Sequence, residues 1–298
     1  MLIVVAASAL FAFVLLIPEP ALAWGPVTHV ALGMQVLASV ITPDYPLQAV
    51  LASLPEVFLY GSLAPDIVQG RRLQSRLRRH SHNWAVGLEL LRAAKDPQES
   101  AFAMGYLAHL AADVIAHNFY LPARFIGYFE SGVASHIYAE ARFDSIQPAR
   151  YHEMLVTLMD ADFGELDAML DRAIDSPLVP FRAHRRVFEG GLKRIRQWNA
   201  VIKALSPMKG DELADTSLFT GCSCSAIGGV IRSPEHAPAR SYDPMGTEPI
   251  KHALASRKNL QRLMRMGPEA RKTARNLADT MVRDVQTHLR QAPFVLKS

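Results

Sequence analysis

Cysteine is scarce in this sequence: Cys222 and Cys224 are its only two cysteines, and a single residue separates them. A disulfide between such close neighbours would be strained, and two thiols cannot build a cysteine-rich zinc site. Hydrophobic residues make up 50% of the 298 positions, so a large core can be buried without disulfides. A disulfide-stabilised scaffold is therefore excluded, and we assign neither cysteine a chemical role.

Strand patterns and internal repeats are also missing. No segment shows a convincing alternation of apolar and polar residues, whereas apolar residues recur at helical spacing along most of the chain. The sequence therefore predicts an all-α fold, a multi-helix bundle. The predicted helices span residues 27–40, 45–54, 84–95, 99–120, 124–143, 150–174, 181–205, 248–266 and 268–291.

Lys and Arg are absent from the first 23 positions, although the chain has 32 of them. Leu2 to Ile17 is a largely apolar run, short for a membrane span, and an A-x-A pattern at 21–23 follows it. These features predict an export signal cleaved after Ala23, with the mature protein in the periplasm or outside the cell. An uncleaved N-terminal anchor is the alternative, because export signals usually begin with basic residues. No later segment is long and apolar enough to span a bilayer, so we expect a soluble mature protein.

The second half of the chain divides by composition. Residues 206–249 are rich in Gly, Ser and Pro, which predicts a long loop or linker between a helical domain at 24–205 and helices at 250–298. From Lys251 to Ser298 the chain has eleven Lys or Arg and three acidic residues. This excess fits an ordinary solvated helix face, the commoner case, or a basic surface that makes peripheral contact with anionic membranes. The net charge of +4 fits anionic partners without identifying one.

The segment GYLAHLAADVIAHNF carries three polar residues in an apolar setting. His109, Asp113 and His117 follow one another at intervals of four, so they lie along one face of a helix. Burying them without partners would cost several kcal/mol, about 2 or more for each group. Two His and a carboxylate suit zinc, but the outer pair are about 12 Å apart along the axis, too far for one ion. The motif predicts more than one ion with Asp113 between them; the alternative is a polar stripe hydrogen-bonded to another helix.

Two further segments contain ligand types at suggestive spacing. In SHIYAE, His136 and Glu140 are four residues apart on a predicted helix and can bind one ion, although such pairs are common by chance. Asp66 follows a proline in GSLAPD, where a turn or cap aspartate is the ordinary interpretation. His80 and His82 come just before the helix that Asn83 is expected to cap, and either could be a ligand.

The mature N-terminus and an arginine run complete the candidates. His29 lies five residues after Trp24, whose α-amine and carbonyl oxygen would be available to a metal once the signal is removed. Arginines concentrated before the His pair could steer a phosphate-bearing substrate or form a solvated face. These arginines are Arg71, Arg72, Arg76, Arg78 and Arg79.

Taken together, these motifs resemble the zinc-dependent phospholipase C family in order and in content. The family pattern is a mature N-terminal Trp, an early His, a GS-x-x-PD-like turn, a His before a helix, a H-x-x-x-D…H helix and a H-x-x-x-E pair. The resemblance covers Trp24 to Glu140, and HLAADVIAH is also similar to a helix of glycosylphosphatidylinositol phospholipase D. In the small secreted bacterial phospholipases the gap between the Asp and the second His of this helix is longer, so His117 is a departure.

The resemblance implies a fold of the phospholipase C/nuclease type with a cluster of three zinc ions in the core. One ion would be bound by His82, His109 and Asp113, with Asp66 nearby. A second would be bound by His117, His136 and Glu140. The third would be bound by the Trp24 amine and carbonyl and by His29, with Asp113 as a bridge. SHNW resembles the family's His-before-aromatic pattern, which favours His82 over His80.

The implied activity is hydrolysis of a phosphodiester, with phospholipids as the leading substrate class. Bound zinc would neutralise phosphate oxygens and activate a water, and Asp66 is the candidate to orient that water or take its proton. A zinc-dependent single-strand nuclease is the alternative enzyme, because it shares this ligand set. Nucleotide binding would need stacking platforms, for which the candidates are Phe119, Tyr120, Phe125, Tyr128 and Phe129. A third alternative is a non-catalytic module with structural zinc, although such sites usually have closed four-ligand Cys/His sets.

Overall fold

The computed structural model describes residues 24–39, 46–68, 79–131, 136–174, 180–205 and 210–295. Within these ranges all regular structure is helical, which confirms the all-α prediction. The predicted signal segment and four of the five arginines before His80 lie outside the described residues. The α-helices are α1 (Pro26–Ser39), α2 (Pro46–Ser53), α3 (Pro55–Gly61), α4 (Ala64–Ile67), α5 (Trp84–Ala93), α6 (Pro97–Ile115), α7 (Leu121–Gly127), α8 (His136–Ser145), α9 (Ala149–Asp160), α10 (Gly164–Ala173), α11 (Phe181–Leu205), α12 (Gly210–Arg232), α13 (Thr247–Met264) and α14 (Pro268–Gln291).

Helix α6 is the centre of the molecule. Asp96 caps it by accepting a hydrogen bond from the Glu99 amide (2.8 Å), and every residue from Ala101 to Ile115 is buried. Helices α3, α5 and α12 pack around it. A helix that is apolar all round is stable only in such an enclosed position. The apolar sequence around His109 and Asp113 therefore places these polar side chains in the core.

Helices α3 and α6 cross at backbone contact. A Cβ atom on Gly105 would overlap the carbonyl of Phe58, and a Cβ atom on Gly61 would overlap the carbonyl of Phe102. Glycine removes the side chain that would otherwise hold the two backbones apart. This close approach brings the end of α3 and the following α4 next to the middle of α6.

The predicted loop or linker at 206–249 is wrong over most of its length. Helix α12 occupies Gly210–Arg232 and packs against α6 and α1, and a short 3₁₀ helix spans Pro238–Ser241. The many Gly and Ser residues concealed a buried stripe at helical spacing. That stripe contains Phe219, Cys222, Ser223, Ala226, Val230 and other residues. Small side chains are compatible with helix when tertiary packing supplies the stability.

Other predicted helices are interrupted. The predicted helix 124–143 ends at Gly127 and resumes at His136, and the predicted helix 150–174 is broken between Asp160 and Gly164. Helices α13 and α14 agree closely with the predictions 248–266 and 268–291. The buried Arg257 of α13 donates hydrogen bonds to the carbonyls of Phe125 (3.2 Å) and Tyr128 (2.7 Å), which ties the C-terminal helices to α7.

Among the described residues, none of the helices has the length and apolar character that crossing a bilayer requires.

Candidate metal centre

Five polar side chains from separate parts of the chain converge beside the middle of α6. They are His29 of α1, Asp66 of α4, His82 before α5, and His109 and Asp113 of α6. All five are buried, with at most 2% of their surface exposed. Sequence analysis selected each of them, and the structure brings them together.

Asp113 lies at the centre of the cluster. Its Oδ2 is 3.1 Å from His109 Nε2 and 3.3 Å from His82 Nε2, and its Oδ1 is 3.4 Å from His29 Nε2. Asp66 is farther out, with Oδ1 at 3.4 Å from His82 Nε2 and 3.7 Å from His109 Nε2. One carboxylate therefore contacts all three imidazoles, while the other lies at their edge.

Hydrogen bonds at the outer nitrogens orient the imidazole rings. His109 Nδ1 lies 2.8 Å from the Ser62 carbonyl oxygen, which can only accept, so this nitrogen carries the hydrogen. His82 Nδ1 is 3.0 Å from Ser81 Oγ. In the neutral His109 ring the lone pair is then on Nε2, which faces the cluster. A carbonyl or hydroxyl behind a metal-binding histidine is the usual way its tautomer is fixed.

The electrostatics of the cluster favour an ionised Asp113. Burial alone would raise the pKa of this carboxyl, but His109, His29 and His82 outweigh it and hold the pKa well below its usual value. Burial lowers the pKa of His29, and the neighbouring His109 lowers it further. Burial opposes protonation of His109 as well, but Asp113 and Asp66 together raise its pKa. Asp113 is thus in the form that binds cations.

The residues fit a zinc site. Among the described residues, no hydrogen-bond partner is found for either carboxylate oxygen of Asp113 or for Nε2 of His29. Leaving buried polar atoms unsatisfied is costly. The ligand atoms of His82, His109 and Asp113 lie within 4.8 Å of one another, and so do those of His29, Asp66 and His109. Imidazole nitrogens and carboxylate oxygens are the donors that catalytic zinc sites use.

The start of α1 is held by a carboxylate that sequence analysis missed. Asp144 of α8 is buried and accepts hydrogen bonds from the amide (2.9 Å) and hydroxyl (2.6 Å) of Thr28 and from the amide of Val27 (3.3 Å). A Cβ atom on Gly25 would overlap this carboxylate. Asp144 accepts from two amides of the first helical turn and so fixes His29, one residue farther on. Its position four residues after Glu140 was the available signal.

Trp24 lies deep in the core. Its indole Nε1 donates to the carbonyl of Ala112 (3.0 Å), the residue before Asp113, and its ring packs on Tyr120 and Phe143. The N-terminal residue of the predicted mature chain is thus fixed beside the cluster. Whether its amine and carbonyl bind an ion stays a prediction.

The second predicted ligand group is described only in part. His117 is buried in a π-helical turn at Ala116–Tyr120, and its Nδ1 lies 2.5 Å from the carbonyl oxygen of Pro244. Glu140 of α8 is also buried, whereas the side chain of His136 lies outside the described residues. A π-turn widens the helix by one residue and recurs at functional sites. Here it contains His117, the residue whose spacing from Asp113 the resemblance marked as a departure.

The segments around Asp66 and His82 agree only in part with the local structure predicted for them. Asp66 lies in the four-residue helix α4 instead of the predicted turn. His82 is the one that reaches the cluster, since its Nε2 lies 3.3 Å from Asp113 Oδ2, whereas His80 Nδ1 accepts a hydrogen bond from the His82 amide (3.2 Å). Asn83 caps α5 as predicted, accepting from the Ala85 amide (2.9 Å). Arg79 donates to Glu89 and to the Ala173 carbonyl.

Four of the five aromatic residues considered as nucleotide-stacking platforms are buried, and only Tyr128 is substantially exposed, at 38%. The buried four are Phe119, Tyr120, Phe125 and Phe129. Their rings pack in the core and cannot stack on a base, so this expectation from the sequence is corrected.

The fold and the site define an all-helical protein with a buried carboxylate–imidazole centre of the type that holds zinc. The family model described as zinc dependent phospholipase C matches residues 28–178, which is 151 of the 298 residues. The chain therefore belongs to the zinc-dependent phospholipase C family, as its motifs indicated. No curated protein and no solved structure gives a significant match.

Proposed function

We propose that this protein is a zinc-dependent hydrolase of phosphodiester bonds and that phospholipids are its substrates. The observation that carries the proposal is the convergence of three imidazoles on buried Asp113, with Asp66 at the edge. Membership of the zinc-dependent phospholipase C family supports the reaction class. A structural zinc site would more commonly be a closed set of four Cys or His ligands.

Three zinc ions would be held by the buried candidates. His82, His109 and Asp113 would bind the first, and His117, His136 and Glu140 the second. The Trp24 amine and carbonyl would bind the third with His29, and Asp113 would bridge it to the first. Zinc in such a site would neutralise the phosphate oxygens and lower the pKa of a bound water. The chain's own groups orient the imidazoles and exclude bulk water, because the cluster is buried.

Asp66 is the proposed proton acceptor. Its carboxylate is 3.4 to 3.9 Å from the three imidazole nitrogens, farther out than that of Asp113, so it is placed to orient or deprotonate a water at the edge of the cluster. It is also near enough to contribute to metal binding. The Asp66→Asn variant keeps the shape of the side chain but cannot accept the proton. It should retain the fold and most of the zinc while phosphodiester turnover falls by roughly 100-fold.

The test measures turnover on a phospholipid and on single-stranded DNA, together with zinc per chain by elemental analysis. Turnover of the phospholipid by the wild type, lost in Asp66→Asn at unchanged zinc, supports the proposal. Wild-type protein that binds zinc but hydrolyses only the DNA would assign the nuclease reaction. Zinc at background level would contradict a metal site altogether.

Export and processing are part of the proposal. The indole of Trp24 is bonded to the carbonyl of Ala112, the residue before Asp113, and this supports a mature chain that begins with Trp24 at the site. Mass spectrometry of exported protein should find Trp24 as the first residue. Full activity in a protein that retains the residues before Trp24 would remove its amine from the ligand set.

Contact with an anionic phospholipid bilayer is proposed at the tip of the α13–α14 hairpin, residues 262–272. Met266 is 76% exposed at this turn. Within this segment the exposed basic side chains outnumber the one acidic residue, Glu269, and an exposed apolar side chain in a basic segment suits an anionic surface. The basic residues of the tip are Arg262, Arg265, Arg271 and Lys272.

A further inference from the structure

The segment Tyr242–Gly246, called here the 242–246 loop, lies against the helices that carry the candidate ligands. It connects the 3₁₀ helix at Pro238–Ser241 to α13. The family match ends at residue 178, so the loop belongs to the part of the chain beyond it. The sequence predicted this region as a linker that follows the helical domain at 24–205, but its contacts are with residues next to the metal centre.

Three consecutive backbone carbonyls of the loop accept hydrogen bonds from side chains of the helical domain. Tyr242 accepts from Trp84 Nε1 at 3.0 Å, and Asp243 accepts from Asn118 Nδ2 at 2.8 Å. Pro244 accepts from His117 Nδ1 at 2.5 Å. Trp84 begins α5, two residues after His82. The loop therefore contacts the surroundings of one candidate ligand and binds another directly.

The loop is built to hold one conformation. The Asp243 carboxylate accepts hydrogen bonds from the amides of Met245 and Thr247 and from the Thr247 hydroxyl, all within 3.0 Å. Gly246 has a φ of +54°, a conformation that favours glycine, and a Cβ atom there would overlap the carbonyl of His117. The chain can pass this close to the π-helical turn only because position 246 has no side chain.

We propose that the 242–246 loop is an integral part of the metal centre and that Pro244 is the positioning residue for His117. A carbonyl oxygen accepts but cannot donate, so it selects the His117 tautomer with hydrogen on Nδ1. The lone pair is then on Nε2, the nitrogen that can bind a metal ion. This inference rests on the proposed function, since it assigns a ligand role to His117. The loop would supply the element that orients the ring, in a region outside the family match.

The effect of such an outer partner is measurable. Removal of a group that orients a metal-binding histidine typically weakens metal binding by about 10- to 100-fold. Gly246→Ala adds a methyl group that must displace either the loop or the His117 backbone. We expect the variant to bind one zinc ion at least tenfold more weakly, while the ion at His82, His109 and Asp113 stays bound.

Gly267→Ala is the matched control. Gly267 also has a positive φ, +126°, but a Cβ atom there would contact nothing within 4 Å. Its φ and ψ of +126° and 178° disfavour alanine more strongly than the left-handed conformation of Gly246, so the control carries at least as much backbone strain without the collision against His117. If Gly246→Ala does not fold, the Trp84→Phe/Asn118→Ala double variant loosens the same loop by removing two of its hydrogen bonds.

Two measurements on the full chain test the inference. Zinc titration followed by elemental analysis gives the number and affinity of the ions in each variant. Nitrogen NMR of chelator-treated wild type gives the tautomer of His117, whose signals are assigned by their loss in His117→Gln. We expect the Nδ1–H tautomer of His117 in the wild type and in Gly267→Ala. In Gly246→Ala we expect this tautomer to be lost and one zinc ion to bind more weakly.

The outcomes separate this inference from the proposed function. An Nε2–H tautomer of His117 in the wild type would overturn the inference about Pro244. So would the finding that Gly246→Ala, or the double variant, binds zinc as tightly as Gly267→Ala does. Wild type that binds no zinc but shows the Nδ1–H tautomer would instead contradict the proposed function. In that case the loop contact stands, and its role in a metal centre is refuted.

Discussion

His82 Nε2 and His109 Nε2 lie 3.0 Å apart in the interior, and the Oδ2 atom of Asp113 is within 3.3 Å of both. Because His109 Nδ1 donates to the Ser62 carbonyl, its Nε2 has no hydrogen to share while the ring is neutral. Two nitrogens and a carboxylate oxygen at this separation are satisfied together by a cation. Ligand geometry of this kind explains how five polar residues can be buried in an otherwise apolar core.

Asp113→Asn should lower zinc content and stability together. The substitution removes the negative charge that contacts three imidazoles, and an amide is a poor bridging ligand. Because metal binding contributes to folding, the melting temperature and the zinc stoichiometry should fall in parallel, from more than one ion per chain in the wild type. Elemental analysis and thermal unfolding of Asp113→Asn and Asp66→Asn give the comparison. Equal loss of zinc in both variants would make Asp66 a structural ligand and leave the proton acceptor unidentified.

Asp144→Ala should destabilise the protein by about 2 kcal/mol, because two amides and a hydroxyl at the start of α1 lose their acceptor. It should also lower the affinity for the zinc ion proposed at His29, because this turn positions that residue. Asp96→Ala is the control, since Asp96 caps α6 in an exposed position. That variant should lose about 1 kcal/mol and no zinc. Urea unfolding and zinc titration measure both effects; equal zinc binding in the two variants would restrict Asp144 to a structural role.

The buried carboxylate of Asp167 joins Tyr60 of α3 to Arg185 of α11. It accepts a hydrogen bond from the Tyr60 hydroxyl and lies 3.2 Å from Arg185 Nη1, while Arg185 Nε lies 2.9 Å from the more exposed Glu189. Removing one partner of a buried ion pair typically costs about 3 kcal/mol, whereas an exposed partner contributes less than about 1 kcal/mol. The midpoint of urea unfolding should therefore lie at a much lower urea concentration for Asp167→Ala than for Glu189→Ala. Similar midpoints would show that the pair contributes little.

Cys222 and Cys224 should be unreactive thiols. Burial raises the pKa of each to about 11, and both lie in α12 as free cysteines. At pH 8 only about one in a thousand such thiols is ionised, against roughly one in four for an ordinary cysteine. Alkylation of the folded protein at pH 8 should be more than 100-fold slower than after denaturation. Fast modification of either residue in the native protein would contradict the structure of this helix.

The hairpin tip should bind vesicles that contain anionic phospholipid. Each basic side chain near such a surface contributes about 1 kcal/mol, so Arg265→Ser/Lys272→Ser should weaken binding by roughly 30-fold. Met266→Ser should weaken it further. Val187→Ser is the control, because Val187 is 67% exposed on α11. Co-sedimentation with anionic and with neutral vesicles measures the effect; equal binding to both vesicle types would refute the electrostatic part of this proposal.

Local pattern alone predicted much of this protein. Helical spacing placed His109 and Asp113 on one face, and their apolar neighbours required that face to be buried. Asn83 marked the start of α5 and therefore the position of His82. These inferences succeed because a helix repeats every 3.6 residues, so a short segment already determines which side chains point the same way.

Only the tertiary structure decided which separate segments meet. Helix α12 was missed because its Gly and Ser residues are weak helix formers on their own, and packing against α6 supplies the stability that propensity lacks. Asp144 and the 242–246 loop act over more than 100 residues of sequence, through hydrogen bonds from a carboxylate and from backbone carbonyls. Every residue has a backbone carbonyl, so no sequence pattern distinguishes the one at Pro244. The position of Gly246 against His117 follows from the packing of α13, which the fold as a whole determines.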